Sequence, residues 1–75
     1  MLFKSYPFLE TVIVNTKTKL AFRGVLWDRQ RGFLVLRNAS LLEKGAAKPL
    51  DGEVVIPADN VDFLQVAAPP AGGTS

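Results

Sequence analysis

The sequence predicts an all-β chain that folds as one small, strongly bent barrel of five strands. Three observations lead there. From Thr11 onward apolar and polar residues alternate with a period of two, in runs of strand length that are rich in β-branched and aromatic side chains. Turn-forming residues separate those runs at short intervals. Gly24 lies inside the second run, where a side chain would ordinarily pack, and such a glycine marks a bulge or a sharp bend in a curved sheet.

The first expected strand is Thr11-Val12-Ile13-Val14-Asn15, and the polar connector Thr16-Lys17-Thr18-Lys19 turns it into a hairpin with the second. That second strand covers residues 20–28, from Leu20 through Gly24 to Trp27 and Asp28. Arg29-Gln30-Arg31-Gly32 is the next expected turn, with Gly32 able to take positive φ. Phe33-Leu34-Val35-Leu36-Arg37 follows as a third strand, and its unbroken apolar run predicts burial on both faces. Residues 43–52 hold Gly45, Pro49 and Asp51-Gly52 and read as a variable loop. A fourth strand, Glu53-Val54-Val55-Ile56, stops at Pro57, which has no amide hydrogen for a ladder. Ala58-Asp59-Asn60 makes a tight turn, in which Asp59 and Asn60 are expected to bond their own backbone. Val61-Asp62-Phe63-Leu64-Gln65-Val66 is the fifth strand.

Two segments flank this unit of residues 11–66. Residues 1–10 carry Leu2, Phe3, Tyr6, Phe8 and Leu9, too many large apolar groups for a disordered arm, and Pro7 limits them to a short helical turn. They are expected to cover an open barrel end or a neighbouring subunit, with packing into the local core as the competing reading. Residues 67–75, rich in Ala, Pro and Gly, have no patterning and are expected to be a flexible tail.

Length and composition narrow the function. The chain has 75 residues, no cysteine and no histidine, so it holds one small core without disulfide or histidine-bound metal to staple it. Self-association is the remaining remedy. A hydrophobic fraction of 48% is too high for disorder, yet no apolar run approaches the roughly 20 residues of a membrane-spanning helix. The first residues lack the blocks of a secretory signal, so a cytoplasmic origin is expected. Thiol chemistry is excluded, and neither Glu10 with Asp28 nor Asp59 with Asp62 is fixed by spacing as an acid-base pair. Such acids cap turns or face water. No calcium-loop pattern is present, and neither metal, cofactor nor catalytic residue is expected.

Charge is unevenly spread. Residues 1–48 hold all nine Lys and Arg against three acids, net +6, and residues 49–75 hold four acids, net −4, which together restore +2. A basic front half can track phosphates, or it can face the acidic half of a neighbouring copy. Trp27 and Phe33 flank Arg29 and Arg31, the mixture of ring and cation that holds single-stranded nucleic acid, and Lys17 adds a further cation. Packing of Trp27 and Phe33 against the barrel is the competing reading. For Arg23, inside a strand, a neighbour's acid and bulk water are equal alternatives.

Two stretches carry a family resemblance. Val12-Ile13-Val14, Phe22-Arg23-Gly24-Val25-Leu26 and Leu34-Val35-Leu36-Arg37-Asn38-Ala39 resemble the first motif of Sm and Sm-like proteins, with its glycine in the second strand and an L-V-L-x-N-A ending. Residues 54–64, Val54-Val55-Ile56-Pro57-Ala58-Asp59-Asn60-Val61-Asp62-Phe63-Leu64, resemble the second motif, V-x-I-R-G-D-N-V-x-x-I. The resemblance implies an Sm-like (SH3-like) small barrel over residues 11–66. It also implies rings, because in Sm proteins the fourth strand of one subunit pairs with the fifth of the next. Val54, Val55 and Ile56 would meet Phe63, Leu64, Gln65 and Val66.

The uridine pocket of that family is not matched. Phe33 stands at its Asn position, Arg29 at its Asp position, and Pro57-Ala58 replaces its Arg-Gly pair. Phosphate contacts from Lys17, Arg29 or Arg31 would remain, blind to sequence and sensitive to salt. A second similarity, through Val12-Ile13-Val14-Asn15, Arg23-Gly24-Val25-Leu26-Trp27, residues 34–42, residues 51–56 and residues 60–66, is to short Sm-like proteins of actinobacterial tailed phages. It implies a non-enzymatic subunit of a phage particle or its assembly machinery, in the virion or host cytoplasm. The partners would be copies of itself and other phage structural proteins. A ring that binds single-stranded RNA through the basic turn and Trp27 is the alternative.

Overall fold

The alternation seen in the sequence becomes one antiparallel sheet in the computed structural model, which describes residues 7–67. Among the described residues its strands are β1 (Thr11–Thr16), β2 (Ala21–Gln30), β3 (Phe33–Glu43), β4 (Ala46–Pro49), β5 (Val54–Pro57) and β6 (Val61–Val66), with a 3₁₀ turn at Ala58–Asn60. Strand order is β6-β1-β2-β3, and the far side of β3 is shared, β5 against its first residues and β4 against its last. The sheet does not close, since β5 and β6 pair with β3 and β1 and not with each other.

The bend falls where the glycine stands. Arg23 pairs with Ser40 and Val25 with Arg37, so Gly24 alone on β2 faces two residues of β3, Asn38 and Ala39. Asn38 absorbs the extra length at φ 52°, a left-handed conformation that asparagine tolerates better than most residues. A Cβ on Gly24 would lie 3.0 Å from both the Ala39 Cα and the Arg37 carbonyl oxygen, so only glycine permits the approach. One turn of sheet further on, Leu26 pairs with Leu36 and Asp28 with Val35, which leaves Trp27 as an extra residue bulged out of β2.

Bent in this way, the sheet wraps its own inner face. Val12, Val14, Leu26, Leu34, Leu36, Ala39 and Ile56 form the core, with Phe22, Val54, Val61 and Leu64 packed against it. Val35, on the opposite face of β3, is only 8% exposed, which bears out burial on both sides of that strand. Thr16 is buried at the end of β1 with its hydroxyl satisfied: Leu20 N–H donates to Oγ1 at 3.0 Å, and Oγ1 donates to the Leu20 carbonyl at 3.1 Å.

Several boundaries differ from the sequence reading. Arg29 and Gln30 belong to β2, so the turn is Arg31-Gly32 alone, with φ of 47° and 83° in the type I′ pattern that suits twisted hairpins. The third strand continues past Arg37 to Glu43, and the expected loop over residues 43–52 contains a second such hairpin. Lys44 and Gly45, at φ 44° and 82°, fold Ala46–Pro49 back onto β3. Ala46-Ala47-Lys48-Pro49 is exposed throughout and has no alternation, because its pairing follows from the turn and needs no buried face. A Lys48–Glu43 ion pair of 3.3 Å spans this hairpin. Pro7–Glu10 is a turn closed by Glu10 N–H to the Pro7 carbonyl, and Met1 to Tyr6 lie outside the described residues, as do 68–75 of the expected tail.

Gly24→Ala is expected to cost about 1–3 kcal/mol of stability through overpacking against backbone. Urea unfolding checks it, and an unshifted midpoint would contradict the bend as described.

Candidate functional site

Strands β5 and β6 leave one side of each backbone open, and the side chains they carry are apolar. Register separates the predicted edge residues into two groups. Val55 pairs with Val35 on the outer face and is 53% exposed, whereas Ile56 lies in the core and Val54 packs against it. On β6, Phe63 pairs with Asn15 on the outer face and is 51% exposed, and Gln65 lies on the same face, its Oε1 accepting from Asn15 Nδ2 at 3.2 Å. Leu64 packs against the core beside Val14, and Val66, paired with Val12, stays half exposed at the rim of the inner face. A charge at Leu64 would therefore unfold the barrel, and Val55 and Phe63 are the positions that probe the edges.

A groove of about 360 Å³ crosses the outer face of β2, β3 and β5. Phe33, Val35 and Arg37, alternate residues of β3, form its floor beside Trp27 and Val55. Trp27 and Phe33 are each just over 40% exposed. The Arg37 guanidinium sits 4.0 Å from the Trp27 ring centroid, and its Nε donates to Glu53 Oε2 at 2.8 Å. Sequence reasoning missed Arg37, Val35 and Glu53 as partners of Trp27; the i, i+2, i+4 spacing of Phe33, Val35 and Arg37 was the available signal.

Of the predicted cations, Arg31 lines this groove and Lys17 and Arg29 do not. Arg29 pairs with the core residue Leu34, which puts it on the other face of β2 from Asp28 and Gln30. Arg31 and Arg37 are balanced by Asp28 and Glu53 around the same groove, so no excess positive field marks it for phosphate. Asp28 accepts from Gln30 Nε2 at 2.8 Å and from the Arg29 backbone N–H at 2.7 Å. The Gln30 bond, with the Arg29 amide second, holds the Asp28 carboxyl below its ordinary 3.8.

The 3₁₀ turn clasps the two hairpin turns at one end of the barrel. Ala58 N–H donates to the Gly32 carbonyl and Lys17 N–H to the Asn60 carbonyl, each at 2.7 Å. Contrary to the sequence expectation, no side chain caps this turn; the Asn60 amide reaches across to Thr18 Oγ1 at 3.3 Å. Phe33 pairs with Pro57, so two of the positions that depart from the Sm pocket motif stand opposite each other. Among the described residues no group of three or more Asp or Glu comes together as a metal site, and no helix is long and apolar enough to cross a membrane.

No protein-family model matches the sequence, and no curated protein matches it. Solved structures do match in shape. A heptameric archaeal Sm protein superposes with a TM-score of 0.73 over 81% of this chain and 90% of that one, at 22% identity. An Sm protein of Pyrococcus abyssii in complex with a uridine heptamer gives 0.71 at 29% identity, covering 80% and 86%. A chain of the NatC complex bound to CoA gives 0.72 at 19% identity, covering 89% and 87%. The fold is the Sm-like small β-barrel that the two motifs implied. The phage resemblance rests on sequence motifs alone.

Because the folded Asp28 carboxyl lies below its unfolded value of 3.8, its bonds to Gln30 and Arg29 support the fold above that pH and are lost as pH falls through the folded value. In a carboxyl-carbon NMR titration Asp28 should titrate below 3.8, and Gln30→Ala should raise its midpoint. A midpoint that ignores Gln30 would contradict the assignment.

Proposed function

We propose that the chain is a non-enzymatic, self-associating Sm-like module in which β5 of one copy pairs with β6 of the next and the contacts close into a ring. The observation that carries this reading is the pair of open edges with exposed Val55, Phe63 and Val66. An antiparallel join between them sets the faces in agreement. Outward Val55 meets outward Phe63, and Ile56 meets Val66 and Leu64 so that the cores run on through the joint. A chain of 75 residues gains buried apolar surface by this route that it cannot gain alone. The motif resemblance supports a further step: the ring serves as a structural or assembly subunit of a phage particle, capsid-associated or at a connector or tail, through protein contacts in the virion or host cytoplasm.

A second reading, an RNA-binding ring, is favoured by the clasp that brings Lys17 beside the 3₁₀ turn and the Arg31-Gly32 turn against it. Its charge is sequence-blind. Affinity for a uridine oligomer should then fall steeply between about 50 and about 200 mM salt in fluorescence anisotropy; absence of binding at the lower salt removes this reading.

Light-scattering mass decides the first. The wild-type chain is expected at several multiples of 8.2 kDa, and Val55→Glu and Phe63→Glu at one, with circular dichroism unchanged. A folded wild-type monomer, or oligomers that survive both substitutions, would overturn the edge pairing.

A further inference from the structure

We infer that the outer face of the β3–β4 hairpin is a phosphate-contact site, where Arg23 and Lys44 hold the sugar-phosphate backbone of a single-stranded nucleic acid. The inference rests on the second reading above, that the chain binds RNA, and moves the contact away from Lys17 and Arg31. Charge decides the place. Around the Trp27 groove two acids offset two arginines. A second hollow, of about 410 Å³, is lined by Arg23, Leu42, Glu43, Lys44 and residues 45–47. Its one acid, Glu43, is already engaged by Lys48 at 3.3 Å. The Arg23 and Lys44 side chains are exposed and have no ion pair or hydrogen bond among the described residues, so both charges stand uncompensated over the same hollow.

Register brings the two cations together. Arg23 pairs with Ser40, and two residues along, Ala21 pairs with Leu42, which pairs in turn with Ala47 across the hairpin. Phe22 packs on the core, so Arg23, Ala21, Leu42 and Ala47 share the opposite, outer face. Lys44 follows two residues after Leu42, in the turn. With alanine on either side of Leu42 the floor stays low and apolar. Such a floor beside two cations takes phosphate at its rim and sugar or base faces against its surface, without reading sequence. For Arg23 the acid of a neighbouring copy at the β5–β6 joint does not compete. With Val55 opposite Phe63, Glu53 falls opposite Gln65 of the next copy, and Ile13 separates that Gln65 from Arg23. Three strand spacings, about 14 Å, therefore lie between Glu53 and this arginine, and Glu53 already holds Arg37.

The test is fluorescence anisotropy of a labelled uridine oligomer titrated with the full-length chain between about 50 and about 200 mM salt. Wild type is compared with Arg23→Gln, Lys44→Gln and with Lys17→Gln, Arg31→Gln; all four side chains are exposed, and circular dichroism checks that each variant folds. A phosphate contact on a single strand contributes about −0.7 to the slope of log affinity against log salt. The first pair should therefore flatten the slope by about 1.4 and weaken binding roughly tenfold at the lower salt, Lys44→Gln alone should flatten it by about 0.7, and the second pair should leave it unchanged. In NMR spectra the Ala46 and Ala47 methyl resonances should move when the oligomer is added. A slope that survives the first pair, or flattens as much with the second, would overturn the site and leave the RNA reading standing, as would methyl resonances that stay in place. No binding at the lower salt would overturn both. A chain that ignores the oligomer but pellets with phosphatidylglycerol vesicles through Arg23 and Lys44 would overturn the inference by giving the hollow to lipid headgroups.

Discussion

The close approach of Gly24 to Ala39 and to the Arg37 carbonyl is the constraint on which the rest of the barrel depends. Without room for a Cβ, two long strands can fold together at one point, the extra residue being taken up by Asn38 in its left-handed conformation. The bend divides β3 into two working halves. Its first residues pair with β5 and carry Leu34 and Leu36 into the core, and its last pair with β4. It also allows the start and the end of β2 to reach the same 3₁₀ turn, through Lys17 on one side and Gly32 on the other. A straight pair of strands would expose the inner face that Val12, Val14, Leu26 and Ile56 now fill.

Bending protects one face and leaves two problems unsolved. The sheet stops short of closure, so β5 and β6 keep open backbone edges, and the outer face keeps Trp27, Phe33, Val55 and Phe63 half in water. Both follow from size, because so short a chain cannot supply a second layer. The same barrel occurs in an archaeal Sm heptamer, in an Sm protein with a uridine heptamer and in a chain of the NatC complex bound to CoA. Such breadth means that the fold supplies edges and faces, while particular side chains settle what meets them. Here Phe33 opposite Pro57 and an Arg37 already committed to Glu53 and Trp27 favour apolar over phosphate contacts.

Much of this was legible in the residues. Val61–Val66 falls within the predicted bounds because its alternation is bracketed by a turn and a change of composition. Gly24 announced its bend. The extension of β3 was not legible, since Asn38 and Ala39 interrupt the apolar run at the bulge and look like the start of a loop. Nor was β4, whose four residues have no inward face and owe their pairing to positive φ at Lys44 and Gly45. Of the proposed edge set, Ile56 and Leu64 turn inward, which period two alone could not assign without knowing which face was in.

The sequence by itself determined the all-β class, the place of the bend, five of the strands and the lack of thiol and imidazole chemistry, because alternation, glycine and composition act locally. Tertiary structure alone decided that Arg37 lies over Trp27, that Glu53 holds it there, and that Ala67 leaves the sheet in the row of Arg37. Those relations cross strands far apart in the chain, and each bulge shifts the register by one residue. Only the folded sheet fixes which side chains become neighbours.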